Sequence, residues 1–140
     1  MATRSTIALE YADGTVDQIY CHWDGYLDCN GIILHKNWQD PFKVQRLMDL
    51  GNLSSLGDDI GDQHDFNEST DDCTFYGRDR GEENTEARRF ESYEDYRANA
   101  QSEEYNYILR RDGNWYVEFY GEFDGLLSEA LERQAAEDAA

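Results

Sequence analysis

The sequence predicts an α+β fold: an antiparallel sheet of about four to five strands, built from two β-hairpins, with three to four helices packed on one side of it. Three observations carry this expectation. Alternating apolar segments flank Asp13-Gly14 and again Asp112-Gly113, and Asp-Gly readily adopts the positive backbone angles of a tight hairpin turn. Apolar residues recur at helical spacing around 41–50 and from 123 onward. Three Trp, ten Tyr and six Phe among 140 residues supply burial for an ordered core despite a mean hydropathy of −0.87. One Pro and 11 Gly fit a folded chain better than a linker. The expectation is a single domain over 1–140.

The elements follow in order. Residues 5–11 place Ile7, Leu9 and Tyr11 on one face of a strand, and Val16 to Trp23 return with Ile19, Cys21 and Trp23 on a shared face. Tyr26 to Trp38 reads as a short, imperfect helix. Asp40 can cap a second helix with Pro41 in its first position, an apolar stripe of Phe42, Val44, Leu47, Met48 and Leu50, and Gly51 in the left-handed position at its end. Leu53 and Leu56 anchor the next turn. Residues 57–72 hold seven acids, no Lys or Arg, and only Ile60 and Phe66 as apolar anchors, which predicts a long loop. Cys73 to Tyr76 is a short strand. Ser92 with Asp95 resembles a capping box and starts a helix through Ala100. Tyr105 to Arg111 and Trp115 to Tyr120 form the second hairpin, and a final helix runs from Phe123 through Leu126, Leu127, Ala130, Leu131 and Gln134.

Charge is the strongest functional signal. The chain has 31 Asp and Glu against 12 Lys and Arg, a net of −19. Residues 1–57 hold seven acids and four bases, net −3, whereas 58–140 hold 24 acids and eight bases, net −16. Such a field repels nucleic acid and anionic membranes and attracts basic protein surfaces. No apolar run nears the roughly 20 residues of a membrane span, and the first residues lack a signal-peptide pattern. The expected location is cytoplasmic. Cys21, Cys29 and Cys73 are odd in number and irregular in spacing, so reduced, partly buried thiols are expected rather than a disulfide framework.

Catalytic and metal signals are weak. Cys21, His22, Cys29, His35 and His64 lack the paired ligands of a structural zinc site, and the acidic loop does not match the calcium-loop pattern. No metal or cofactor is expected. Cys21 with His22, or the Arg78–Arg80 loop, could be drawn as a small hydrolase or nucleotide-binding site, but no nucleophile elbow, phosphate loop or dinucleotide fingerprint accompanies either. Arg78 and Arg80, flanked by glycines inside the most acidic half of the chain, are expected to pair with nearby acids and hold the long loop down. Trp23 and Tyr26 are expected in the core; exposed, they would form a protein-binding hot spot.

A net magnitude of roughly 2–8 suffices for solubility, so −19 calls for a further reason. Carboxylates on a folded surface can imitate the phosphate spacing of DNA. The surface expected to do so comprises Asp58, Asp59, Asp62, Asp65, Glu68, Asp71 and Asp72, then Glu82, Glu83 and Glu86, and Glu129 and Glu132 on the last helix.

Four segments, Ser5-Thr6-Ile7-Ala8, Ile19-Tyr20-Cys21-His22-Trp23-Asp24-Gly25-Tyr26, Leu53-Ser54-Ser55-Leu56-Gly57 and Tyr76-Gly77-Arg78-Asp79-Arg80-Gly81-Glu82, resemble a family of short proteins encoded by bacteriophages and bacteria. The chain departs from that pattern at Leu27, where Pro often follows the tyrosine. The resemblance implies a phage-type origin and assigns no activity or site residues. With the charge, it leads to the expectation of an inhibitor of a host defence protein that handles nucleic acid, of the anti-CRISPR or anti-restriction kind. Its partner would be a basic DNA- or RNA-binding host protein. A regulatory interaction protein without mimicry, or a small enzyme, is the alternative.

Overall fold

The computed structural model describes residues 2–139. Two strands, β1 (Ser5–Glu10) and β2 (Val16–Cys21), are followed by a π-helical turn (Leu27–Gly31) that runs into α1 (Ile32–Asn37). Then come α2 (Pro41–Leu50), β3 (Leu53–Ser55), β4 (Thr74–Phe75), α3 (Tyr76–Arg80), β5 (Arg88–Phe90), α4 (Tyr93–Asn99), β6 (Tyr105–Leu109), β7 (Trp115–Phe119), β8 (Phe123–Leu126) and α5 (Leu127–Ala139). The α+β class and both hairpins are as predicted.

The sheet is larger than predicted and mixed rather than antiparallel. Eight strands join in the order β4-β3-β2-β1-β6-β7-β8, with β5 also pairing on β2. The two hairpins meet through their first strands: β1 lies parallel to β6, Ser5 opposite Tyr105 and Leu9 opposite Leu109. The intervening chain returns to the starting end before β6 begins, so these two strands run the same way. Along the other edge of β2, β3 pairs in parallel at Leu53 and β5 antiparallel at Phe90.

Five helices, not three to four, cover both faces of the sheet. One face carries Ile7, Leu9, Ile19, Tyr107, Leu109, Trp115 and Val117 into the main core, under Leu34 and Trp38 and under Val44, Leu47 and Met48 of α2. The opposite face carries Ala8, Val16 and Ile108, covered by Phe90 and by Tyr96 of α4. The second layer has a physical cause: β1 is buried at all six positions, so its apolar residues on both sides need cover. The last helix also starts later than its spacing predicts. Phe123 to Leu126 form β8, where Phe123 pairs with Phe119 and stacks on it at 5.7 Å, and α5 begins at Leu127.

The predicted caps hold with two changes. Asp40 Oδ1 accepts from the Phe42 N–H at 2.9 Å, and Ser92 Oγ accepts from the Asp95 N–H at 3.0 Å; the Asp95 carboxylate reaches the Glu91 N–H rather than that of Ser92. Gly51 ends α2 with φ +86 and ψ −154, outside the left-handed helical well. Glycine is required there because a Cβ would collide with the Thr85 carbonyl.

Candidate functional surface

Residues 57–72 contain no helix or strand, as predicted, yet they are held in place from several sides. At the base, the Asp58 N–H donates to the Asp71 carbonyl at 3.2 Å and the Cys73 N–H to the Asp59 carbonyl at 3.0 Å. Trp38, fully buried, donates its indole N–H to the Gly57 carbonyl at 2.9 Å. Lys43 lies over the Trp38 ring, donates to the Asp58 carbonyl at 2.8 Å and pairs with Asp59 at 3.1 Å.

Arg78 and Asp79 clamp the middle. Arg78 donates to the carbonyls of Ile60, Gly61 and Cys73, the Gly61 bond being 2.7 Å. It also grips the Asp79 carboxylate through Nε and Nη2. Asp79 has a fully buried side chain and accepts from the backbone N–H groups of Phe75 and His64 at 2.8 and 3.0 Å. Burial raises its pKa, but the Arg78 guanidinium and those two N–H donors outweigh burial and hold the carboxyl below the usual range. Arg80 lies over Phe66 at 5.0 Å and pairs with Glu82. Both arginines therefore contact the loop, but not by pairing with its acids as predicted: Arg78 bonds its backbone carbonyls, Arg80 lies on the Phe66 ring, and their ion-pair partners are Asp79 and Glu82.

The acids stand outside this frame. Asp58, Asp59, Asp62, Asp65, Glu68 and Asp71 are exposed and Asp72 is half-buried; Glu82, Glu83, Glu86, Glu129 and Glu132 are exposed. Among the described residues Asp62, Asp65, Glu68 and Asp71 pair with no base. The loop and Glu82–Glu86 flank the β3–β4 edge. Glu129 and Glu132 ride on α5, which packs against β7, β8 and the π-helical turn. The two edges are six strand spacings apart, roughly 29 Å at about 4.8 Å each. The helix acids and the loop acids thus belong to opposite edges of the sheet.

The other candidates fare differently. Cys21 is fully buried, and burial pushes its thiol up to about 11; Cys73 is also buried and pushed up to about 12. Neither fits an activated nucleophile, which needs a lowered pKa and access. His22 turns away from Cys21 and bonds the Tyr20 hydroxyl at 2.8 Å. His64 sits between the Asp62 carbonyl and the Thr74 hydroxyl, each at 3.0 Å. Among the described residues, no group of three or more His, Cys, Asp or Glu side chains could hold a metal ion, and no helix is long and apolar enough to cross a membrane.

Trp23 and Tyr26 depart from the core placement expected of them. They are 44% and 38% exposed. The chain leaves β2, turns at Asp24 with φ +60 and passes Gly25 over the end of β1, where a Cβ would meet Ser5 and the Thr3 carbonyl. That crossing lifts both rings off the sheet. Its sequence signal was Asp24-Gly25, a turn placed directly between the two aromatics.

No family model matches the chain, and no curated protein or solved structure matches it.

Proposed function

We propose that this protein is a small acidic inhibitor, of phage type and acting in the host cytoplasm, that occupies the nucleic-acid cleft of a basic host defence protein. The observation that carries the reading is the restrained acidic loop. Four carboxylates that pair with no base among the described residues, at Asp62, Asp65, Glu68 and Asp71, are displayed on a backbone held by Arg78, Asp79, Lys43 and Trp38. A loop already ordered loses little entropy on binding, and fixed carboxylates can stand in for phosphates. Glu82, Glu83 and Glu86 extend the surface on the same edge; Glu129 and Glu132 would touch only a partner that wraps the molecule. The enzyme alternative is weaker because Cys21 is buried and Arg78 is consumed by internal bonds.

The experiment is capture of host proteins on the immobilised chain, at low and high salt and with duplex DNA as competitor. The expected result is a nucleic-acid-binding protein displaced by DNA and by salt, and lost when Asp62, Asp65 and Asp71 become Asn and Glu68 becomes Gln. Capture indifferent to salt, DNA and these substitutions overturns mimicry.

A further inference from the structure

We propose that one end of the sheet, bearing Trp23, Tyr26 and Tyr120, is a docking surface for an arginine-rich segment of a partner protein. This surface is distinct from the acidic loop and does not rest on mimicry of DNA.

Strand register assembles it. Cys21, Ser5, Tyr105, Phe119 and Phe123 lie in one row across β2, β1, β6, β7 and β8. The segments just beyond that row therefore gather at the same end: Trp23 to Tyr26 after β2, Glu104 before β6, and Tyr120 to Glu122 between β7 and β8. Four large apolar side chains are exposed among the described residues, and three of them are here, Tyr120 at 59% being the most open of the three. Isolated exposed apolar residues need no explanation; here three of them share one end of the sheet, Trp23 and Tyr26 on either side of one turn and Tyr120 at the β7–β8 turn.

The backbone holds these rings outward. Tyr120 has φ +54, and a bulky residue in the left-handed region is an outlier that the surroundings must enforce; Asp24 at φ +60 turns the chain between Trp23 and Tyr26. Gly25 is tied on both sides, its N–H donating to the Thr3 carbonyl at 2.9 Å and its carbonyl accepting from the Tyr107 hydroxyl at 2.6 Å. Tyr120 packs edge-on against Tyr105 at 5.6 Å, and its hydroxyl donates to Glu104 at 3.3 Å.

Acids rim the rings. Asp24, Asp28 and Glu122 are exposed and Glu104 is half-buried. Burial first, then the charges of Glu104, Glu122 and Asp28, raise the Tyr105 hydroxyl above its ordinary value. Of the bases near this end, Arg4 is exposed, while Arg133 lies over Phe123 at 5.7 Å and 3.9 Å from Glu137, so four acids face two arginines.

Aromatic faces bordered by carboxylates suit a guanidinium, which stacks on rings and forks onto carboxylates at once. The chain satisfies its own arginines in this way. Arg110 lies 3.5 Å from the Tyr93 centroid while bonding Glu10, and Arg89 lies 5.3 Å from that of Tyr11 while gripping Asp17. Among the described residues Trp23, Tyr26 and Tyr120 carry no such cation. From Trp23 to the β7–β8 turn is about three and a half strand spacings, roughly 17 Å, the reach of about five extended residues.

The test is fluorescence anisotropy of labelled nona-arginine and nona-lysine peptides at 0.15 M salt, against the full chain and three variants. Equal peptide charge cancels the general attraction of a −19 protein and leaves what only guanidinium does, stacking on rings and forking onto carboxylates, which the aromatic and the acid variants then separate. The arginine peptide is expected to bind more tightly than the lysine peptide. Trp23→Ala with Tyr26→Ala should weaken the arginine peptide about tenfold and erase that preference, for two lost cation–π contacts. Glu104→Gln with Glu122→Gln, which leaves the rings intact, should weaken both peptides. Asp62→Asn with Asp65→Asn and Glu68→Gln should alter the preference by less than about twofold. Absence of arginine binding, equal loss of both peptides in the aromatic variant, or a preference that follows the loop acids overturns the proposal. The loop variants also report separately on DNA competition, so the two readings fail independently.

Discussion

Replacing Asp79 by Ala removes the carboxylate on which the loop clamp closes. Its oxygens accept from two backbone N–H groups, of Phe75 and His64, and from Nε and Nη2 of Arg78. Its side chain is fully buried, and that of Arg78 is 14% exposed. Breaking a buried pair from one side costs about 3–5 kcal/mol. Arg78 keeps its three carbonyl acceptors, and water can reach its partly open side, so the low end applies: about 3 kcal/mol. Urea unfolding reads this as a midpoint lower by about 1.5–2 M, at an m-value of about 1.5–2 kcal/mol/M. Asp79→Asn keeps the shape and one acceptor oxygen and should lose about half as much. The sign with pH follows from the direction of the shift. The native carboxyl lies below its ordinary value, so the unfolded chain binds the proton more readily. The stabilisation is complete above the ordinary Asp range, near about 4. It drains away as pH falls through the lower native pKa, so the wild type should lose its advantage over Asp79→Ala there. Freed of the clamp, the loop should also be cut at Glu68 by a Glu-specific protease under native conditions. A loss below about 1 kcal/mol with cleavage at Glu68 unchanged would refute the clamp.

Thiol chemistry gives an independent check on packing. Cys21 and Cys73 are buried with raised thiols, whereas Cys29 is half-exposed; titration with a disulfide reagent at pH 8 should find one fast thiol in the native protein and three after unfolding. Reaction of all three at one rate would contradict the buried placement. Self-repulsion at a net charge of −19 should make the melting temperature rise with salt, on the order of 5 °C between 0.01 and 1 M, as the screening length falls from about 30 to about 3 Å. A flat or falling curve would mean that ion pairs such as Arg110–Glu10 outweigh the surplus of acids.

Much of the architecture was legible because local signals agreed with it. Asp13-Gly14 and Asp112-Gly113 marked both hairpins, Asp40-Pro41 marked the start of α2, and the acid run from Asp58 to Asp72 marked the loop. What escaped was non-local. Nothing within Ser5–Glu10 or Tyr105–Leu109 says that these strands lie side by side and parallel, since that pairing depends on the route of the chain between them. β8 was hidden because Phe123, Leu126 and Leu127 satisfy helical spacing while Phe123 also pairs with Phe119. The second covering layer had little signal within Ser5–Glu10, where Thr6, Ala8 and Glu10 alternate with Ile7 and Leu9 and read as a solvated face; it shows only once Ala8, Val16 and Ile108 lie side by side in the sheet. At the candidate surfaces, charge pointed to Arg78 and Arg80 as restraints on the loop but not to what they hold, which is backbone carbonyls for Arg78 and the Phe66 ring for Arg80. The exposure of Trp23 had one local signal, the Asp24-Gly25 turn, but the strand face it shares with Ile19 and Cys21 pointed to burial and outweighed it.

The residues that shape the acidic loop are not those that display its charge. Arg78, Asp79, Lys43 and Trp38 set the path of the backbone from outside, while Asp62, Asp65, Glu68 and Asp71 project from it and contribute no ion pair to that frame. Frame and display can therefore change separately. Asp62, Glu68 and Asp71 make no ion pair with the frame and can be recoded, to lysine for a mirror-image charge pattern or to aromatics for a different target, whereas Asp65 also accepts the Asn67 N–H at 3.0 Å and shapes its own turn.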